Sequence, residues 1–173
     1  MTLEHLNRLL EAIRTARVAV LGDYCLDAYW FADLSRSEIS LETGLPTHPV
    51  ARQRSAPGGA GNVVTNLCAL GAGSVRAVGV IGDDTWGREL LRLLQNCGAD
   101  TSGILTQTAH WDTLAYVKPH VGGREENRRD FGNFNELSRG TAEALIAHLD
   151  ELASDVDVAV INQQVPQGIH TPF

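Results

Sequence analysis

Pro57-Gly58-Gly59-Ala60-Gly61-Asn62 is the stretch on which the reading of this chain turns, a run of very small residues that ends in an amide and opens into the apolar helical pattern of Val63, Val64, Leu67 and Leu70. With no side chains at Gly58, Gly59 and Gly61, a ligand can approach the backbone closely, and the amides at the start of the following helix have no partners within it. Asn62 adds a side chain that both donates and accepts. The same residues also suit a turn that simply carries a loop into a helix, so the surroundings must decide.

Working outward, residues 61–70 read as a helix with Gly71 as its C-terminal cap. Upstream, Leu6, Leu9, Leu10 and Ile13 recur at helical spacing within residues 3–16, and Val18-Ala19-Val20-Leu21 is a short buried-strand pattern. Downstream, residues 75–81 form the next strand, and Asp83 or Asp84 caps a helix that runs to Asn96 and stops at Gly98. Residues 104–107 give another strand, Ser138 caps a helix to about residue 153, and residues 156–161 make a last buried strand. Strands alternating with helices predict an α/β fold, a mainly parallel sheet covered on both faces.

Two regions do not fit that alternation. The polar segment 33–47 resists a helix and leaves extended pieces at about 28–33 and 47–55, while 113–121 and 124–131 read as a hairpin across Gly122-Gly123. That hairpin is too polar for a central strand pair. After residue 161 the chain offers Asn162-Gln163-Gln164-Val165-Pro166 and a helix-free tail to Phe173. A parallel strand calls for a crossover helix, so the chain reads as the first part of a longer design, with an irregular tail closing the domain as the alternative.

At 173 residues, with 43% hydrophobic and 20% charged residues, the chain is of single-domain size and of soluble globular composition. No apolar run is long enough to cross a bilayer and the start does not read as a secretory signal, so a cytoplasmic location with no membrane partner is expected. A formal net charge of −7 argues against a nucleic-acid partner, whose phosphates require a basic footprint. Cys25, Cys68 and Cys97 read as reduced, packed thiols. The six histidines show no metal spacing, and the glycine run lacks both the third glycine of a dinucleotide fingerprint and the lysine of a Walker loop.

Two carboxylates, Asp23 and Asp27, follow the first strand, and in open α/β sheets ligands collect beyond the carboxyl ends of strands. An aspartate can accept from two adjacent sugar hydroxyls at once. Directly after Gly22, Asp23 reads as a turn or capping residue; Asp27 is the stronger binding candidate.

Taken together, Val18-Ala-Val-Leu-Gly-Asp-Tyr-Cys-Leu-Asp27-Ala-Tyr-Trp30, Asp33-Leu-Ser-Arg36, the glycine run, Asn66-Leu and Leu70-Gly-Ala72 resemble the PfkB, or ribokinase-like, carbohydrate kinases, with the Tyr-Trp and Ser-Arg elements most similar to the heptose 7-phosphate kinase branch. The resemblance spans about residues 15–165. It departs at Val64, where a small residue is usual, in one extra residue between Gly71 and Gly82, and in a longer 37–47 segment.

The resemblance implies a ribokinase-like three-layer sandwich, truncated, in which residues 1–173 are the N-terminal part of one sugar kinase domain and the C-terminal ATP-binding part is absent. Segments of about 28–55 and 113–131 would form a small β-lid over the sugar and a homodimer contact. By the same resemblance Asp27, Gly58, Gly59 and Asn62 bind substrate hydroxyls on a sugar or sugar phosphate, with Asn162 and Gln164 also in reach. Arg36 and Lys118 read as solvated surface groups, with contact to a substrate phosphate as the alternative. ATP and magnesium are the cofactors expected of the full-length family. Its catalytic aspartate belongs to a Gly-Ala-Gly-Asp type motif that does not occur here, so no catalytic residue is assigned and the isolated chain is expected to be inactive. The competing expectations are a non-catalytic sugar-binding or oligomerisation module and, more distantly, a phosphate cradle in an unrelated α/β enzyme.

Overall fold

The computed structural model describes residues 2–166 and 168–170; Met1, Gln167 and the end of the tail, 171–173, lie outside the described residues. Helix α1 (Leu3–Ile13), opened by the Thr2 hydroxyl accepting from the His5 amide, leads into strand β1 (Arg17–Gly22). Then come β2 (Tyr24–Ala32), β3 (Val50–Gly59), α2 (Ala60–Ala69), β4 (Ser74–Gly82), α3 (Thr85–Asn96) and β5 (Asp100–Gln107). The chain continues through β6 (Leu114–Val121), the short β7 (Arg124–Glu125) and β8 (Arg129–Phe131), α4 (Arg139–Leu152) and β9 (Val158–Asn162).

Four parallel strands in the order β5-β4-β1-β9 form the main sheet, with Val20 opposite Ala77 on one side and Val160 on the other. One face packs Val18, Val20, Val75, Ala77 and Ile81 against Val64 of α2 and Leu90 and Leu94 of α3. The other packs Val78 and Val80 against Leu145 of α4 and Trp111. Leu90 and Leu94 are fully buried, and each such side chain contributes about 1.5–3 kcal/mol of burial. Asp84, of the two candidates, caps α3: one carboxylate oxygen accepts from the Gly87 amide at 2.8 Å and the other from the Thr113 amide at 2.8 Å, fixing the helix start to the entry of β6.

The edge strand β9 is apolar yet only partly covered, with Val160 alone of its apolar side chains packed on the core. Its register puts Val158 beside Val18 and Ile161 beside Leu21, on opposite faces, and they remain 51% and 68% exposed. Helix α1 likewise forms where the spacing predicts it but buries none of its residues.

A second sheet, in the order β3-β2-β6-β7 with β8 also against β6, sits where a lid is expected. The extended pieces at 28–33 and 47–55 prove to be parts of the longer β2 and β3, paired antiparallel from Tyr24–Gly59 to Ala32–Val50. Pro57-Gly58-Gly59 is therefore strand rather than turn, and the helix begins at Ala60. The predicted hairpin forms as β6 with β7 and β8, and its Gly122-Gly123 turn takes the positive φ values, 56° and 81°, that such a turn needs. Polar as it is, β6 is central in this smaller sheet: it runs parallel to β2 and buries Leu114, Ala115 and Val117. Leu26 and Ala115 belong to the same apolar cluster as Val20, so the two sheets share a core.

Candidate functional site

Side chains alternate across the lid strands, and the pairing registers sort them into two faces. Leu26, Ala28, Ala115 and Val117 point into the protein and are buried. Asp27, Tyr29, Tyr116 and Lys118 share the opposite face, because Asp27 lies beside Tyr116 and Tyr29 beside Lys118.

On that face the Lys118 ammonium meets Asp27 Oδ1 at 2.7 Å, with the two side chains only 18% and 21% exposed. Lys118 Nζ also lies 5.0 Å from the Tyr29 ring centre, and the Arg54 guanidinium stacks over the same ring at 4.4 Å. Partial burial works to lower the Lys118 pKa, but the hydrogen bond and charge of Asp27, with help from Tyr29, outweigh it and hold the ammonium above its ordinary range. Lys118 stays charged at any physiological pH. Next to it, Arg128 covers the Tyr116 ring at 4.4 Å and binds both oxygens of Asp130 at 2.6 Å. The face thus presents two carboxylates, flanking cations and two aromatic rings. That chemistry suits a polyhydroxylated, anionic small molecule.

The glycine run meets this cluster edge-on. A Cβ at Gly58 would sit 3.2 Å from Asp27 Oδ2 and 2.7 Å from Cys25 Sγ, so only glycine lets β3 lie this close to the carboxylate. Gly59 has φ +55°, and a side chain there would collide with the Asp23 carbonyl. Burial, then the charge of Asp27, pushes the Cys25 thiol up to about 12, which fits the inert packing role read from the sequence.

The remaining candidates take different places. Asn62 is exposed in the first turn of α2. Asn162 closes β9 opposite Gly22, with its Oδ1 buried and without a hydrogen-bond partner among the described residues. Gln164 is exposed, and its backbone amide rather than its side chain makes the contact that counts, to Asp23 Oδ2 at 2.7 Å. Arg36 ends a short helical turn, Leu34–Arg36, and is exposed.

Two residues exceed their sequence reading. Lys118, read as a solvated surface group, is the partner of Asp27; the register that pairs it with Tyr29 was not visible in the sequence. Asp23, read as a turn residue, is 2% exposed and accepts amides from a segment about 140 residues away. A third feature lies on the far face of the lid: a cavity of about 280 Å³ bounded by Trp30, Val50, Pro119, Val121 and Arg129.

A parallel sheet with helices on both faces, carrying a small β-lid, is the ribokinase-like α/β architecture. Solved structures with it include a carbohydrate kinase from Agrobacterium tumefaciens (TM-score 0.56, 18% identity, covering 85% of this chain and 45% of that one) and the ribokinase of Arabidopsis thaliana complexed with ribose and ATP (0.58, 15%, 85% and 45%). The chain belongs to the pfkB family of carbohydrate kinases, whose model matches residues 16–171. Among curated relatives it is 36% identical over 155 residues to the bifunctional protein HldE of Wolinella succinogenes, covering 90% of this chain and 32% of the relative. It is 37% identical over 161 residues to the D-beta-D-heptose 7-phosphate kinase of Bordetella bronchiseptica, covering 88% and 49%. The chain therefore spans about a third to a half of the length of these relatives.

Proposed function

We propose that this chain is the acceptor-binding side of an ATP-dependent carbohydrate kinase acting in the cytoplasm, and that it holds a sugar or sugar phosphate between the lid and the glycine run. The observation that carries the reading is the half-buried Asp27–Lys118 pair beside Gly58. Asp27 accepts from sugar hydroxyls. Lys118 has donors left over after binding Asp27 and, with Arg54 across the Tyr29 ring, favours a substrate that carries its own phosphate. The heptose 7-phosphate kinase relative supports that choice. Gly58, Gly59 and Asn62 line the same edge, with Asn162 and Gln164 beyond Asp23.

The described residues do not fit ATP or its magnesium. The first amide of α2, Ala60, is spent on the Asp23 carbonyl at 3.0 Å and so offers nothing to a phosphate. Among the described residues no group of three or more metal-ligating side chains is gathered. We therefore assign this chain no phosphoryl-transfer step, and expect it to be inactive when isolated. The lid's far face, with Trp30 and Pro119 around its cavity, supports a homodimer formed through the lid. The exposed edge of β9 favours a second reading, a non-catalytic sugar-binding or oligomerisation module.

Calorimetric titration with D-heptose 7-phosphate, and with ribose as an unphosphorylated comparison, tests the proposal. Loss of a carboxylate that accepts two hydroxyls is worth about 1.5–3 kcal/mol, so Asp27→Ala should weaken sugar binding roughly tenfold or more. Affinity that survives this change unaltered removes Asp27 from the site. ADP formed at an enzyme-like rate by the isolated chain removes the claim of inactivity.

A further inference from the structure

Asp23 stands where three separate parts of the chain meet. Its amide donates to the Asn162 carbonyl at 3.1 Å, at the end of β9. Its carbonyl accepts the Ala60 amide at 3.0 Å, the first of α2, and lies so close to Gly59 that no side chain fits there. Its carboxylate, 2% exposed, gathers the segment after β9: Oδ2 accepts from the amides of Gln164 at 2.7 Å and Val165 at 3.1 Å, and Oδ1 from that of Ile169 at 2.9 Å. The next residue but one is Cys25, followed two positions later by Asp27 on the same strand.

This is far more than a turn aspartate needs. A lone buried carboxylate is costly, and it persists when charge-assisted hydrogen bonds replace its lost water. Every donor to the carboxylate comes from the backbone of one irregular segment, so the carboxylate sets the path of that segment. The packing agrees: a Cβ at Gly168 would run into the Asp23 carboxylate, so the segment is shaped to close around it.

From this geometry we propose that Asp23 is a positioning residue, a latch that holds the segment after β9 against the start of α2 and the glycine run and so fixes Asn162 and Gln164 at the sugar site. This rests on the sugar-site reading above. Asp23 itself does not touch the sugar; it is buried and both its carboxylate oxygens are engaged within the protein. The latch is also specific in charge and shape. An amide in its place puts an N–H opposite an N–H at one of its positions, and a longer carboxylate overfills a space already closed by Gly168.

Two variants approach the latch from opposite sides: Asp23→Asn removes the acceptor, and Gly168→Ala pushes the segment away while leaving Asp23 intact. Hydrogen exchange at the Gln164, Val165 and Ile169 amides reads the latch, and calorimetric titration with D-heptose 7-phosphate reads its consequence. Leu94→Ala, a core change with no contact to the segment, controls for general destabilisation. The expected result is at least a tenfold loss of protection at these amides in both variants, at least a tenfold loss of sugar affinity, and neither change in Leu94→Ala. Unchanged protection overturns the latch. Lost protection with unchanged affinity, or an equal affinity loss in Leu94→Ala, overturns the positioning role. A wild-type chain that binds no sugar sinks the site reading instead, while the exchange data still decide the latch. If Asp23→Asn does not fold, Gly168→Ala carries the test.

Discussion

The two sheets of this molecule are built from similar strands and put to different use. In the parallel sheet, β1 and β4 bury both faces, so Val18, Ala19, Val20, Ala77 and Val78 are all interior. In the lid, β2 and β6 bury one face through Leu26, Ala28, Ala115 and Val117; on the other they bury Cys25 and Leu114 at the base and leave Asp27, Tyr29, Tyr116 and Lys118 half-open. A polar side chain in the first sheet would need a partner within the protein, whereas in the second, water or a ligand can serve. Polar side chains open to a ligand therefore gather on the smaller sheet, and the two-sided one supplies the rigidity behind it.

The shared core is where this comparison breaks most easily. Leu90 is fully buried in the cluster that joins strands of both sheets, and truncating it to alanine should cost about 2–5 kcal/mol. Denaturant melts followed by tryptophan fluorescence and by far-ultraviolet dichroism should still coincide; two separated transitions would mean that the lid folds independently. A smaller effect is expected at the seam. Gly59→Ala forces a side chain into a positive-φ position against the Asp23 carbonyl and should destabilise the fold by about 1–3 kcal/mol, measured by the same melts.

The smallest effect belongs to the open edge of the parallel sheet. Arg17 and Asp157, each nearly half exposed, pair at 2.7 Å and tie the start of β1 to the approach to β9. The Arg17 hydrogen bonds hold the Asp157 carboxyl down from 3.8 to about 2. Because the folded value is depressed, the stabilisation is complete above the ordinary value and is lost as pH falls through about 2. The Tm difference between wild type and Asp157→Asn should be small and constant near neutrality and vanish at the acid end; a difference that persists there would assign the effect to packing instead.

Much of the parallel sheet was legible in the sequence because its signal is local. Runs such as residues 18–21 and 75–81, and caps such as Asp84 and Ser138, announce themselves within a few residues. The glycine run was legible as a place of close approach, but not as strand. Whether Pro57-Gly58-Gly59 is a turn depends on β2 lying alongside, which no local pattern records. Asp27 could be singled out from its place after a strand. Its partner Lys118 could not, since their meeting depends on the register of two strands far apart in the chain. Asp23 was undervalued for the same reason: a Gly-Asp pair looks like a turn until the segment it binds is folded around it.

The parallel pairing of β2 with β6 also sets a schedule for the growing chain. Asp27 meets Tyr116 about ninety residues later, whereas β3 returns to β2 through a much shorter connection. At about 5–20 residues per second, a ribosome leaves roughly 5–20 seconds between the synthesis of the two central lid strands. In that interval the β2–β3 ribbon has one edge unclaimed, and the carboxylate of Asp27 has no ammonium to meet. Lys118, the ammonium that pairs with Asp27, is thus synthesised about ninety residues after its partner.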